Sequence, residues 1–242
     1  MMKATFSGRL FNLIEMNLPP SINFVPKYLS KVRSWHENLP FAYDLISILK
    51  PKTFVELGTH YGDSYFTFCQ SIVENQLSTK TFAIDHWLGD EQAGIYNEEV
   101  FERVNKYNEQ NYSEFSSLIR KTFDDALNDF KDNSIDLLHI DGHHSYDSVK
   151  NDFNKWRSKV RDGGIFLIHD ILVTCDNFGV HQLWDEISRV YPCLNLSFAH
   201  GLGVLKNSLN ENIDYIVSPE FDELICTLYY EKMGVYINEV KS

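Results

Sequence analysis

Three groups of acids and imidazoles stand where short apolar runs end, and each has a chemistry open to it. Glu56, Gly58 and Gly62 punctuate T-F-V-E-L-G-T-H-Y-G-D-S (53–64). Asp141, His143 and His144 follow closely in H-I-D-G-H-H-S-Y-D (139–147), and His169 and Asp170 close I-F-L-I-H-D (165–170). If the last two runs are neighbouring strands, their ends lie ~5 Å apart. Asp141, His169 and Asp170 could then share one divalent ion. Oxygen-rich ligation favours Mg²⁺, while a histidine keeps Mn²⁺, Fe²⁺ and Zn²⁺ open. His143 or His144 could serve as catalytic base, because imidazole with its ordinary pKa of ~6.5 can take a proton from a hydroxyl at neutral pH. Plainer alternatives stand beside these: His169 packs in the core, Asp170 caps a turn, and the histidine pair is a solvated loop.

The first group reads as a cradle. A short apolar strand turns at Gly58, where the lack of a Cβ lets backbone and ligand approach closely. A helical pattern follows from Ser64 to Glu74. A dinucleotide turn wants G-x-G-x-x-G facing a pyrophosphate; this one is E-x-G-x-x-x-G, with an acid just before it. That acid suits the ammonium of S-adenosylmethionine and would repel a pyrophosphate. Asp85, ending T-F-A-I-D (81–85), stands where a carboxylate accepts ribose hydroxyls. The alternative for Glu56 is a buried ion pair, and for the glycines an ordinary strand–helix turn.

The elements that must position these residues alternate. Strands are expected at Thr53–Leu57, Thr81–Asp85, Ser117–Lys121, Ile135–Asp141 and Ile165–Asp170, with helices over Glu98–Tyr112, Asp124–Phe130, Tyr146–Val160 and Val180–Val190. Such alternation implies parallel pairing with right-handed crossovers. Leu194–Ala199 and Gly203–Lys206 are too close in sequence for a crossover and should pair antiparallel. The expected fold is a Rossmann-like three-layer α/β sandwich: a mostly parallel seven-stranded sheet with an antiparallel final strand. An N-terminal helical cap covers 1–50, with helices over Lys27–Ile48 broken at Pro40; the cofactor domain spans 51–207. A C-terminal helical extension over 208–242 carries a helix at Glu220–Lys232.

The 22 basic and 34 acidic residues give a formal net charge of -12, which disfavours nonspecific contact with nucleic acid or anionic membranes. The four cysteines form no C-x-x-C pair and read as free thiols of a reducing, cytoplasmic compartment. No apolar run approaches the ~20 residues of a membrane helix.

Together these segments resemble class I S-adenosylmethionine-dependent methyltransferases, and more narrowly the sugar and small-molecule O-methyltransferase branch with its macrocin-type relatives. The resemblance rests on W-H-E-N-L-P-F-A-Y (35–43), F-V-E-L-G-T-H-Y-G-D-S-Y (54–65), A-I-D-H-W-L-G-D-E-Q-A-G-I-Y (83–96), L-L-H-I-D-G-H-H-S-Y-D-S-V (137–149), G-G-I-F-L-I-H-D-I (163–171) and G-L-G-V-L (201–205). It implies that Glu56, Gly58 and Ser64, with Thr59, Gly62 and Asp141 nearby, line the methionine end of the cofactor. It places Asp85 and His86 at the ribose and the Thr122–Asp124 region at the adenine. It implies a metal on Asp141, His169 and Asp170, although the first of the adjacent pair is usually aspartate in metal-dependent relatives. The base falls on His144, or on His143 by the sugar-type pattern. The expected partner is a small-molecule or sugar substrate, with no nucleic acid and no membrane insertion; homo-oligomerisation stays open. Trp87 and Tyr96 are candidates to stack on a sugar face. Rival readings are a dehydrogenase, a hydroxylase-like relative and a catalytically idle binding protein of the same fold.

Overall fold

The computed structural model describes residues 19–175 and 177–208. Its frame is a sheet of seven strands: β1 (Thr53–Leu57), β2 (Lys80–Asp85), β5 (Ser116–Arg120), β6 (Ile135–Ile140), β7 (Val160–His169), β8 (Cys193–Leu196) and β9 (Leu202–Lys206). They lie in the order β5-β2-β1-β6-β7-β9-β8. Strand β9 pairs antiparallel with β7 and β8, and every other pairing is parallel.

Neighbouring residues of the central strands feed opposite cores, as alternation along a strand requires. Phe54, Leu137 and Leu167 face the helices α1 (Leu39–Leu49) and α2 (Asp63–Glu74). Val55, Leu138 and Ile168 face α5 (Tyr146–Trp156) and α6 (Val180–Ile187), whose Phe153, Trp156, Leu183 and Trp184 close the second layer. The strands are buried on both faces, which is why they read as near-continuous apolar runs. Helices α3 (Glu98–Asn111) and α4 (Phe123–Ala126) flank β5, and the segment after β2 carries a small hairpin of β3 (Gly89–Asp90) and β4 (Gly94–Ile95).

The order reverses between β1 and β6, so their following loops diverge and leave a crevice above the strand ends, where open α/β sheets bind ligands. Gly58 sits at this point with φ +86, and a Cβ there would meet the Asp141 carbonyl oxygen at 2.0 Å. No side chain fits between the two loops. Gly62, at φ +87, takes the left-handed conformation that starts α2.

Three sequence expectations are corrected. Pro40 does not break a helix; it lies in the first turn of α1, where its missing N–H has no partner to lose. The stretch 24–35 is not helical. The Lys27 and Ser30 amides donate to the side chains of Gln70 (2.9 Å) and Asp63 (2.6 Å), which ties this strap to α2. The strand expected at Ile165–Asp170 starts earlier, at Val160, with an irregularity in its pairing with β6 before Ile165. The extension expected beyond residue 208, its helix at 220–232 and residues 1–18 lie outside the described residues.

Gly58→Ala is expected to lower stability by about 2 kcal/mol or more, since it adds both a positive-φ penalty and a backbone clash. Urea unfolding measures this, and a variant as stable as the parent would show that the two loops can part.

Candidate active site

The crevice encloses about 1230 Å³. The glycine turn 58–64 forms one side, the β2–α3 segment with its hairpin a second, and the loops after β6 and β7 a third. Its described lining residues include Asp63, Asp85, Asp90, Asp124, Asp141, Asp152 and Asp170, six histidines, and no lysine or arginine.

Asp85 organises the first wall. Its Oδ2 accepts from the amides of Thr59 (3.0 Å) and His60 (2.9 Å), and its Oδ1 from the Trp87 amide (2.7 Å). The carboxylate thus locks the glycine turn to the end of β2 and presents its remaining acceptor capacity to the crevice. His60 stacks on Tyr96 with centroids 4.7 Å apart at 10°, and both line the cavity.

The second wall is an acid–imidazole cluster. Asp141 and Asp170 come from adjacent strands, and three histidines stand around them. His169 Nδ1 lies 3.4 Å from Asp141 Oδ1 and 3.3 Å from Asp170 Oδ2. His144 Nε2 lies 2.8 Å from Asp170 Oδ2 and 3.6 Å from Asp141 Oδ1. His200 Nδ1 is 3.0 Å from the other Asp170 oxygen. Burial alone would lower His169, but the two carboxylates outweigh it and hold the imidazole up at about 10. Burial also opposes the charge on His144, which hydrogen bonds to the same carboxylates raise to about 9. Desolvation pushes Asp141 and Asp170 up, and the histidines reverse this and hold both below the usual carboxylate range.

The ligand atoms of Asp141, His144 and Asp170 lie within 4.8 Å of one another, as do those of His169, Asp170 and His200. Two carboxylates and an imidazole are a donor set that fits a hard or borderline divalent cation. Two imidazoles face both carboxylates, His144 through Nε2 and His169 through Nδ1. His169 sits deeper, 3% exposed, with its Nε2 3.2 Å from the Asn38 amide nitrogen. In this arrangement His144 carries a proton at neutral pH, and His143 Nδ1 accepts from the Ser145 amide at 3.3 Å.

The structure brings Gly58, Thr59, Gly62, Ser64, Asp85, His86, Thr122, Asp141, His143, His144, His169 and Asp170 to one cavity. Glu56 is not on its wall. The carboxyl group is fully buried beneath it, with Oε2 2.8 Å from His139 Nδ1, and burial pushes it above the ordinary glutamate range. Thr122 caps α4, its hydroxyl accepting from the Asp125 amide. Trp87 is no platform: it is 1% exposed and donates to the His60 carbonyl.

Sequence reading missed Gln92, Asn38, Asp63, Asp152 and His200. A helix-borne aspartate such as Asp152, which burial raises to about 7, carries no motif. The A-I-D-H-W-L-G-D-E-Q block did flag the segment that holds Gln92. Among the described residues, buried side-chain atoms of Trp35 (Nε1), Asn38 (Oδ1), Glu56 (Oε1), Thr59 (Oγ1), His139 (Nε2) and Trp156 (Nε1) have no hydrogen-bond partner, and Trp35 and Thr59 line the cavity. An unpartnered polar atom on a cavity wall is one that a ligand or ordered water can satisfy.

Sheet order, reversed final strand and acid-bearing glycine turn define the class I methyltransferase fold. Residues 55–171 match the Methyltransf_24 family model, described as a methyltransferase domain. The protein y4gI of Sinorhizobium fredii (strain NBRC 101917 / NGR234), described as uncharacterized, is 46% identical over 190 residues, 78% of this chain. The chain spans about a fifth (20%) of the length of that relative. Among solved structures, the O-methyltransferase TomG of Streptomyces achromogenes, in complex with SAM, superposes with TM-score 0.54 at 10% identity, covering 74% of this chain and 82% of that one. The SAH-bound methyltransferase PaMTH1 of Podospora anserina gives 0.53 at 13%, covering 85% and 98%. At such identities the likeness is one of fold. No helix among the described residues is long and apolar enough to cross a membrane.

The raised imidazoles and lowered carboxylates set a pH dependence for metal-free protein. Raised histidines stabilise the fold fully below ~6.5 and lose that contribution as pH climbs toward 9–10; lowered aspartates lose theirs as pH falls below ~4. Melting temperature in the presence of chelator should therefore fall between pH 6.5 and 10, and His169→Gln should flatten that limb. An alkaline limb of equal slope in both proteins would remove His169 as its source.

Proposed function

We propose that the chain transfers a methyl group from S-adenosylmethionine to a hydroxyl of a sugar, glycan or small metabolite, with a divalent metal, magnesium first, held by Asp141, His169 and Asp170. One observation carries the reading: the Asp85-locked glycine turn and the acid–imidazole cluster open into a single cavity. S-adenosylmethionine supplies an electrophilic methyl on a sulfonium, and a cleft lined with aspartates and free of lysine and arginine among its described residues suits its cationic groups. Asp85 would receive the ribose hydroxyls, the 58–64 turn with Ser64 the methionine end, and the Thr122–Asp124 and Asp152 edge the adenine.

The same lining disfavours a polyphosphate near the acceptor, and the His60–Tyr96 stack offers a flat face to a ring-shaped one. A divalent cation held at Asp141 and Asp170 would lower the pKa of the acceptor hydroxyl and, by neutralising the carboxylates that raise His144, would let its Nε2 proton leave to solvent before the hydroxyl proton is taken up. His144 then receives the hydroxyl proton at Nε2, with His143 the second candidate. Most of the acceleration comes from holding oxygen and methyl in line, which the facing walls are placed to do.

The division of labour is testable with calorimetry and labelled-methyl transfer into a panel of methyl glycosides, amino sugars and small polyols. Asp85→Ala should weaken S-adenosylmethionine binding at least roughly tenfold. Asp170→Asn, which keeps shape and tolerates the φ of +62, should bind cofactor within about threefold and transfer no methyl. Products should gain 14 mass units, the arithmetic of one CH₂. A gain of 16, or equal loss of binding in both variants, would contradict the assignment.

A further inference from the structure

The hairpin that the cofactor reading leaves without a task makes the most specific contact in the cavity. Gln92, between β3 and β4, directs its side chain away from its own strand pair and into the cluster. Its Oε1 accepts both the backbone amide of His144 (2.9 Å) and, at 2.9 Å, the ring Nδ1–H. Its Nε2 donates to the carbonyl of Asn177 at 3.0 Å. Asp90 Oδ1 holds the hairpin tip in this posture by accepting from the amides of Gln92 (2.8 Å) and Ala93 (2.7 Å). His144 is clamped from its remaining sides too. Its carbonyl accepts from the Gly179 amide at 2.7 Å, and its ring stacks on Phe178 with centroids 4.6 Å apart at 11°.

A neutral histidine ring carries its proton on one nitrogen or the other, and the hydrogen bond at one nitrogen fixes what the other can do. A carboxamide oxygen can only accept, so Gln92 requires the proton on Nδ1 and commits Nε2 to the Asp141–Asp170 edge. The three bonds of one amide side chain join the hairpin, the loop after β6 and the loop after β7.

We propose that Gln92 is a positioning residue: it fixes the ring orientation of His144, with Nδ1–H outward and Nε2 toward the two carboxylates, and links that orientation to the hairpin lip. Ala93, Ile95 and Tyr96 of the same segment line the cavity. An acceptor seated against the lip therefore presses on the element that aims the imidazole. The inference rests on the methyl-transfer reading for its purpose, but its geometry is measurable without turnover.

The test uses full-length protein with ¹⁵N-labelled histidine, where the His144 signals are those lost in His144→Asn. The parent should show a hydrogen-bonded, slowly exchanging Nδ1–H on His144. Gln92→Leu should lose it, and Gln92→Glu, which keeps an acceptor at that place, should retain it. S-adenosylmethionine affinity measured by calorimetry should stay within about twofold in both variants, while methyl transfer to the glycoside panel should fall roughly ten- to a hundredfold in Gln92→Leu and recover in Gln92→Glu. An unchanged Nδ1–H in Gln92→Leu, or equal loss in both variants, overturns the positioning role. Loss of cofactor affinity in Gln92→Leu alone would assign Gln92 to the cofactor wall and overturn it too. If the parent binds no S-adenosylmethionine, the methyl-transfer reading fails while the Nδ1–H signature still decides the role of Gln92.

Discussion

Two carboxylates on adjacent strands, both held below their ordinary range, are the constraint around which this molecule is arranged. Like charges at that spacing resist joint ionisation unless cations stand beside them. Asp141 and Asp170 meet that requirement through His169 beneath and His144 beside, and His200 hydrogen-bonds Asp170 at the rim. The fold supplies each from a different place: the end of β7, the loop after β6 and the turn into β9. A divalent cation would satisfy the same pair, so the protein holds a charge balance that can be handed from protons to metal.

The neighbouring wall has a different logic. Asp85 spends its carboxylate on three backbone amides, so it is an architectural residue first. It fixes the glycine turn against β2, as Gly58 fixes it against β6 by admitting no side chain. Facing walls locked independently to neighbouring strands keep their separation, and the in-line transfer proposed above depends on that separation. The N-terminal strap adds a roof: His36 and the Ser30 amide bond Asp63 at the start of α2, and Asn38 reaches His169.

Much of this was legible in the residues. The parallel sheet with one reversed strand followed from alternating elements and from two closing runs too near for a crossover. Gly58, Asp85, Asp141 and Asp170 were readable because strand ends and glycine turns restrict where a side chain can go. Glu56 misled, since an acid before a glycine turn looks the same whether it faces ligand or is buried against His139, a partner 83 positions away. Pro40 misled because a proline signals either the break or the start of a helix, and side-chain partners on α2 decided it. Which of His144 and His169 stands beside the carboxylates at the cavity surface depends on depth, a property that local spacing does not encode. Gln92 was invisible for the same reason: its partners lie on two other loops.

The most direct measurement is a crystal structure with S-adenosylhomocysteine and Mn²⁺, the metal located by its anomalous signal. The account predicts the ribose at Asp85, the sulfur turned toward the Asp141–Asp170 edge, and manganese bound by both carboxylates. A thioether pointing away from that edge, or manganese elsewhere with the two aspartates still paired only to histidines, would contradict it.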